Sequence, residues 1–309
     1  MADKKIAFVF PGQGSQKVGM AQSLYEANPG VRERFACASS LLGFDLARLC
    51  FEGPLEELTR TTNAQPALLC VGICCYDVLV EHGLGCDLAA GHSLGEYTAL
   101  VAAGALSFTD ALPLVKRRAE LMDSAPAGSM SAIIGLGREE VESVCDRASE
   151  RGVVIPANYN CPGQIVISGE MDAVEQAELL AKERGAKKVI RLPVSGAFHS
   201  PLMTAAGEAF KETLNSIPLR QPRFPIVTNV TAEVVDDPEE IRSCLCRQMT
   251  SPVLWEESVR RMVKEGVEIF VELGPGKVLA GLIRRTSPES VVYNVEDRYS
   301  LEETLSALL

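Results

Sequence analysis

Histidine is scarce in this chain of 309 residues: only His82, His92 and His199 occur. That scarcity argues against a multi-histidine metal centre, and a reaction that needs a histidine base must draw on one of these three. Basic charge is short as well. Lys and Arg number 30 against 41 Asp and Glu, a formal net charge of -11. Nucleic acid and anionic membranes both need a basic face, so neither is an expected partner. No apolar run reaches the roughly 18 residues of a spanning helix. The opening stretch, MADKKIAFVFPGQG, follows two lysines with only the apolar run Ile6–Phe10. That is too short for a signal-peptide core and fits a first β-strand.

Cysteine is plentiful at ten, but the spacings that would give it a structural job are missing. Cys70, Cys74 and Cys75 sit in the apolar run ALLCVGICCYDVLV, where cysteine behaves as a small hydrophobe. Cys244 and Cys246 have one residue between them and no nearby histidine, which is not a zinc arrangement. Free thiols in a reducing, cytoplasmic setting are the expectation. No internal repeat or low-complexity segment is present.

What is there alternates strands with helices. Ile6–Phe10 reads as a buried strand entering the loop PGQGSQ. Pro66–His82 is apolar nearly all round and stops at Gly83, which predicts a buried helix with a glycine C-cap. Leu88–Ala90 predicts a short strand, and Leu94, Tyr97, Leu100 and Val101 then share one helical face. Between about Gly128 and Val194 the order becomes βαββαβ: SMSAIIGL, REEVESVCDRASERG, VVIPANYN, QIVISG, MDAVEQAELLAKERG and KKVIRLPV. That is a ferredoxin-like signature. Beyond it, longer helices again alternate with strands such as FPIVTNV and VEIFVELG. The expected architecture is α/β: a large subdomain with a mainly parallel sheet, residues 1–127 and 195–309, and a small ferredoxin-like subdomain, 128–194.

At the junction after Leu88–Ala90 stands Gly91-His92-Ser93-Leu94-Gly95. A Gly-x-Ser-x-Gly arises by chance about once in ten chains of this length, with Gly at about 7% of residues, so the setting carries the weight. A strand–turn–helix elbow needs residues without bulk on both sides of the serine, and it aims the hydroxyl at free helix N–H groups. The alternative is a Gly/Ser turn that merely caps the helix. An activated serine needs a base. His82 ends the buried helix, where a capping role fits. His92 adjoins Ser93 on a sharp turn, where neighbours point apart. His199, on a loop before the Ser200-Pro201 helix start, remains. Arg118 is the other unusual residue. On a wheel of about 100° per residue, it falls at the centre of the apolar face of Thr109–Asp123, with Leu114, Val115, Leu121 and Met122. A guanidinium there keeps its charge and must find an anion, either a buried Asp or Glu or the carboxylate of a substrate.

Six segments in order make the chain recognisable: FVFPGQGSQ, GHSLGEYTAL, the arginine 25 residues past Ser93, GAFHS, RQMTSPVLW and ELGPGKVL. Together they resemble the malonyl-CoA:acyl-carrier-protein transacylase family, over nearly the whole chain. The resemblance implies an α/β-hydrolase-like core with a ferredoxin-like insert. It implies that Ser93 attacks the malonyl thioester while His199 takes its proton, oriented by the main-chain carbonyl of Gln248 instead of a carboxylate. It further implies an oxyanion hole from the N–H groups of Gln13 and Leu94, each such donor being worth about 3 kcal/mol, and a malonyl carboxylate clamped by Arg118.

Phe198 just before the histidine goes, in related acyltransferase domains, with malonyl over methylmalonyl. A methyl group is worth about 1–3 kcal/mol, so a preference is expected and not exclusion. Asn160 and Gln164 are expected, again by resemblance, to line the cleft between core and insert. The implied partners are malonyl-CoA and an acidic acyl carrier protein, whose phosphopantetheine thiol accepts the acyl group in fatty-acid synthesis. No metal or redox cofactor is expected, and a monomer is. Because the chain itself is acidic, docking calls for a local basic patch, and Lys187, Lys188 and Arg191 or Lys277, Arg284 and Arg285 are the candidates. A serine hydrolase is the rival: Asp110, Asp123 and Asp146 all lie between Ser93 and His199 in chain order.

Overall fold

The computed structural model describes residues 4–194 and 196–309. Residues 1–3 and Ser195, the first residue of the expected second segment of the large subdomain, lie outside the described residues. Among the described residues ten strands form two sheets: β1 (Lys5–Phe10), β2 (Leu88–Gly91), β3 (Ser129–Ile134), β4 (Val154–Cys161), β5 (Gln164–Gly169), β6 (Lys188–Arg191), β7 (Ile226–Val227), β8 (Val234–Val235), β9 (Val267–Leu273) and β10 (Val291–Val295). The larger sheet has the order β10-β9-β1-β2-β7-β8. All its neighbours are parallel except β7 and β8. The smaller sheet, β4-β5-β3-β6, is antiparallel throughout.

Both sheets follow from composition. β1 and β2 read as continuous apolar runs because helices cover both faces of a parallel sheet, and Ala7–Phe10 and Leu88–Gly91 are all buried. Phe8, Phe10 and Val271 face one core, and Ala7, Val9 and Phe270 face the other. In the smaller sheet, Ile133, Ile165 and Ile167 pack on a separate core closed by the helices Arg138–Ala148 and Met171–Glu183. Entry to and exit from this unit run side by side, joined by a bridge between Ala127 and Gly196.

The helix predicted from Pro66 begins at Thr61 and runs to Glu81. Pro66 is the sixth residue of that helix, past the free N–H groups of its first turn, so the i to i−4 main-chain bond at that position is lost. The helix is long and apolar enough to span a membrane, yet its most apolar window is 83% buried inside the protein. His82 closes it, its Nδ1 2.7 Å from the Val78 carbonyl oxygen, and Gly83 follows at φ 89°. Two strands come out shorter than their apolar runs: KKVIRLPV pairs only over Lys188–Arg191, and FPIVTNV only over Ile226–Val227. The residues after them turn away to build loops around the cleft.

Candidate active site

The parallel strands β1 and β2 end side by side, Phe10 opposite Gly91, and open sheets of this kind leave a crevice at the carboxyl ends of their strands. The loop Pro11–Gln16 leaves one strand there and Ser93 leaves the other. The elbow is as tight as the sequence requires. A Cβ on Gly91 would fall 1.8 Å from the Gly95 carbonyl carbon, and one on Gly95 would fall 2.0 Å from the Phe10 carbonyl oxygen. Ser93 sits at φ 51°, ψ -105°, a conformation that costs a non-glycine residue strain and marks a functional site. Asn229 holds it there: its Oδ1 accepts from the Ser93 N–H at 2.7 Å and its Nδ2 donates to the Gly91 carbonyl at 2.6 Å.

The Ser93 hydroxyl has two partners. His199 Nε2 lies 2.8 Å from Oγ, and Arg118 Nη2 donates to Oγ at 3.1 Å. On the far side of the ring, His199 Nδ1 faces the main-chain carbonyls of Gln248 at 2.9 Å and Ser251 at 3.2 Å. Both are acceptors, so Nδ1 carries the proton and Nε2 presents a lone pair to the serine. Burial pushes His199 down to about 3, and the nearby Arg118 charge adds to the shift. The imidazole is thus neutral at physiological pH, with the Nε2 lone pair free to accept a proton. Among the described residues none of Asp110, Asp123 and Asp146 hydrogen-bonds to it; carbonyls occupy the place where a hydrolase puts its acid. His92 points the other way, Nε2 to Asn160 Oδ1 at 2.8 Å, as neighbours on a tight turn must.

Arg118 is fully buried, as its wheel position predicts, but its expected anion is absent from the hydrogen-bond shell. Nη1 donates to Gln65 Oε1 at 2.8 Å and Nη2 to Gln248 Oε1 at 2.9 Å, both neutral oxygens. The Tyr97 ring lies 5.3 Å away, and Nε has no partner among the described residues. Three dipolar oxygens and a ring face surround the charge directly, and the Glu96 carboxyl acts on it only from outside that shell, so the fork beside Ser93 meets no anion in hydrogen-bond contact.

A cavity of about 180 Å³ opens over Ser93, with Gln13, Leu94, Met122, Met130, Phe198 and His199 among its walls. Leu94 is the first residue of a helix, so its N–H lies among the orphan donors of that terminus. Gln13 reaches Thr61 with its side chain at 3.2 Å. Asn160 and Gln164 do not line this cavity. They border an adjoining one of about 230 Å³ that shares Gln13, Gly14 and His92 with it. Of the two basic patches, Lys277 stands at the start and Arg284–Arg285 in the last turn of the helix Val278–Thr286, whose Val278, Leu279 and Leu282 line this second cavity, and Arg285 donates to Gln164 Oε1 at 2.7 Å. Lys187, just before β6, and Lys188, its first residue, are exposed, while Arg191 is committed to Glu175 and Glu178.

Sequence reasoning missed Gln65, Glu96, Asn229 and Ser251. Glu96 was detectable by the argument that singled out Arg118, being a charge on a helix whose neighbours Leu94, Tyr97 and Leu100 are all core residues. Gln65, Asn229 and Ser251 are polar residues near element ends, and nothing local distinguishes them from turn residues.

Comparison with known proteins bears on this arrangement. The acyl transferase domain family matches residues 7–301. The chain is 47% identical over 308 residues to the malonyl CoA-acyl carrier protein transacylase of Bacillus subtilis, covering 98% of this chain and 97% of that one. Among solved structures it resembles the acyl-carrier-protein S-malonyltransferase of Burkholderia pseudomallei, with a TM-score of 0.95, 46% identity, and 98% and 99% of the two chains covered. It also resembles a malonyl-transacylase solved in complex with its type II PKS acyl-carrier protein, with a TM-score of 0.95, 42% identity and the same coverage. The elbow serine, its carbonyl-held histidine and a buried arginine beside them therefore sit in a chain that belongs to the malonyl CoA-acyl carrier protein transacylase family of acyl transferases.

Proposed function

We propose that the protein moves a malonyl group from malonyl-CoA to the phosphopantetheine thiol of acyl carrier protein through a malonyl-serine at Ser93, as a step of fatty-acid synthesis in the cytoplasm. The observation that carries this reading is a single hydroxyl held between a neutral imidazole and a buried guanidinium with no carboxylate in its hydrogen-bond shell. His199 takes the Ser93 proton as Oγ bonds to the thioester carbon, and the Arg118 charge favours the oxygen as it becomes anionic. The carbonyl oxygen collects negative charge and is received by the N–H groups of Leu94 and Gln13. CoA leaves as its sulfur takes the proton back from His199. The carrier thiol then gives a proton to His199, attacks the ester, and Ser93 Oγ departs with that proton.

In the acyl-enzyme the malonyl carboxylate lies three bonds from the ester oxygen, which puts it within reach of Arg118. Phe198, at the wall of the cavity, crowds the α-carbon and favours malonyl. The apolar walls keep water from the ester, which separates transfer from hydrolysis. Protein groups and substrates supply all of this chemistry, the phosphopantetheine arriving on the carrier. Asn160 and Gln164 take part through the adjoining cavity, along which the pantetheine arm approaches. Carrier docking uses one of the basic patches, Lys187, Lys188 and Arg191 or Lys277, Arg284 and Arg285, on a monomer. The organisation is an α/β-hydrolase-like large subdomain, 1–127 and 195–309, with a ferredoxin-like one at 128–194. The order of the small sheet, its second, third, first and fourth strands in turn, supports that division.

The test is an intact-mass spectrum after brief incubation with malonyl-CoA. Wild type gains one malonyl group, Ser93→Ala gains none, and added holo carrier protein removes the group and carries its mass. Accumulation of free malonate without an adduct would replace transferase by hydrolase.

A further inference from the structure

Glu96 is a buried carboxylate that the transfer chemistry leaves unused. It is 1% exposed, in the first turn of the helix that Ser93 begins, and it stands behind the site, not in it. Gln248 Nε2 donates to its Oε2 at 2.6 Å, and the Asn229 N–H does so at 3.3 Å. Gln248 Nε2 also donates to the Ser93 carbonyl oxygen at 3.0 Å. An amide nitrogen has two hydrogens, and here both are consumed. Gln248 Oε1 is therefore fixed at the opposite end of the amide, against Arg118 Nη2. Rotating the amide by half a turn would set an NH2 against a guanidinium NH2 and an oxygen against two other oxygens, so the orientation has one stable solution. Glu96, Gln248, Arg118 and Ser93 form one relay, and its far end is the only carboxylate in it.

We propose that Glu96 is a positioning residue for acyl selection: by fixing the Gln248 amide it holds the Arg118 fork where a carboxylate on the acyl group of Ser93 can meet it. This inference rests on the reading of Ser93 as the acylated residue and of Arg118 as the carboxylate clamp. It assigns Glu96 no contact with substrate. Burial raises the Glu96 carboxyl to about 7, against the pull of its Gln248 and Asn229 donors and of the Arg118 charge. Loss of the anchor frees Gln248 to turn and Arg118 to shift, which penalises an acyl group with a carboxylate more than one without.

The experiment measures rates of Ser93 acylation by malonyl-CoA and by acetyl-CoA, using intact mass, and reads their ratio. Glu96→Ala lowers the malonyl-to-acetyl ratio about ten-fold, the scale of one charge-assisted hydrogen bond. Glu96→Gln, whose Oε1 accepts the same bond from Gln248, restores the ratio to within about three-fold of wild type. In an Arg118→Ala background neither change moves the ratio, since the fork it positions is gone. Glu96→Met fills the volume with no acceptor and carries the same expectation as alanine, so a folding defect in one variant does not decide the matter. A fall in both rates by one factor, or a ratio that still drops without Arg118, overturns the proposal. Absence of a malonyl adduct on wild type would instead overturn the reading of Ser93 and Arg118 on which it rests.

Discussion

Replacing Arg118 by alanine is the most informative single perturbation of this site. The guanidinium is wholly buried, donates to Ser93 Oγ at 3.1 Å, and has only neutral oxygens as partners. A carboxylate at about 4 Å, with the effective dielectric of about 20 that protein sites show, gains about 4 kcal/mol of gross attraction. Desolvating the carboxylate takes part of that back, and hydrogen bonds between charged partners contribute about 1.5–3 kcal/mol net. At the upper end, malonyl loading loses about a hundred-fold. Acetyl loading also falls somewhat, because Gln65 and Gln248 each lose a buried donor. The ratio of the two loading rates isolates the clamp from that general loss. Arg118→Lys keeps the charge but not the fork and lands between the two. Initial rates of adduct formation on Ser93 by intact mass, with malonyl-CoA and acetyl-CoA in parallel, give the numbers. Equal factors for both substrates would mean that Arg118 activates the serine without recognising the carboxylate.

Three further outcomes are expected. With His199 as the proposed neutral base, the acid limb of Ser93 acylation is expected well below the usual histidine range: burial holds the imidazole near 3, and the rate stays level from pH 8 down to about 5. A limb centred near the ordinary value of about 6.5 would show an imidazole that titrates freely. Gly95→Ala sets a Cβ 2.0 Å from the Phe10 carbonyl oxygen, a backbone clash that no side-chain shift relieves. It should cost about 3 kcal/mol or more, and an unchanged melting temperature would contradict the elbow geometry. Reversing Lys187 and Lys188 to Glu raises the Michaelis constant for carrier protein, whereas an unchanged constant, with Lys277 and Arg285 reversal effective, would move docking to the second cavity.

The parts of this fold that could be read in the sequence are those where a local rule and the tertiary contact agree. Gly91 and Gly95 announce the elbow because only hydrogen fits both positions, and Arg118 announces burial because its wheel neighbours are all apolar. Strand length was not legible in KKVIRLPV, since pairing stops at Arg191, opposite Ser131, although the partner strand runs on to Ser129 and the apolar stretch to Val194. Asn229 and Gln65 reach the site from 136 residues after Ser93 and from the helix against Arg118; their roles come from what they face across the cleft. Glu96 shows the limit from the other side. Its burial could have been inferred, but its partner Gln248 lies 152 positions away.

The two carbonyls against His199 Nδ1 carry a consequence for how such a site tolerates change. A carboxylate in that place could be lost by one codon, and a scan of side chains would find it. The Gln248 and Ser251 oxygens belong to the main chain, as do the proposed oxyanion donors, the N–H groups of Leu94 and Gln13. Substitution at 248 can therefore disturb the side-chain amide and leave the orienting oxygen in place, and alanine scanning will undercount what holds the base. Only displacement of the loop itself removes that contact. Half of this site is written in chain path, out of reach of point mutation, and it can drift in side-chain identity while keeping its histidine aimed.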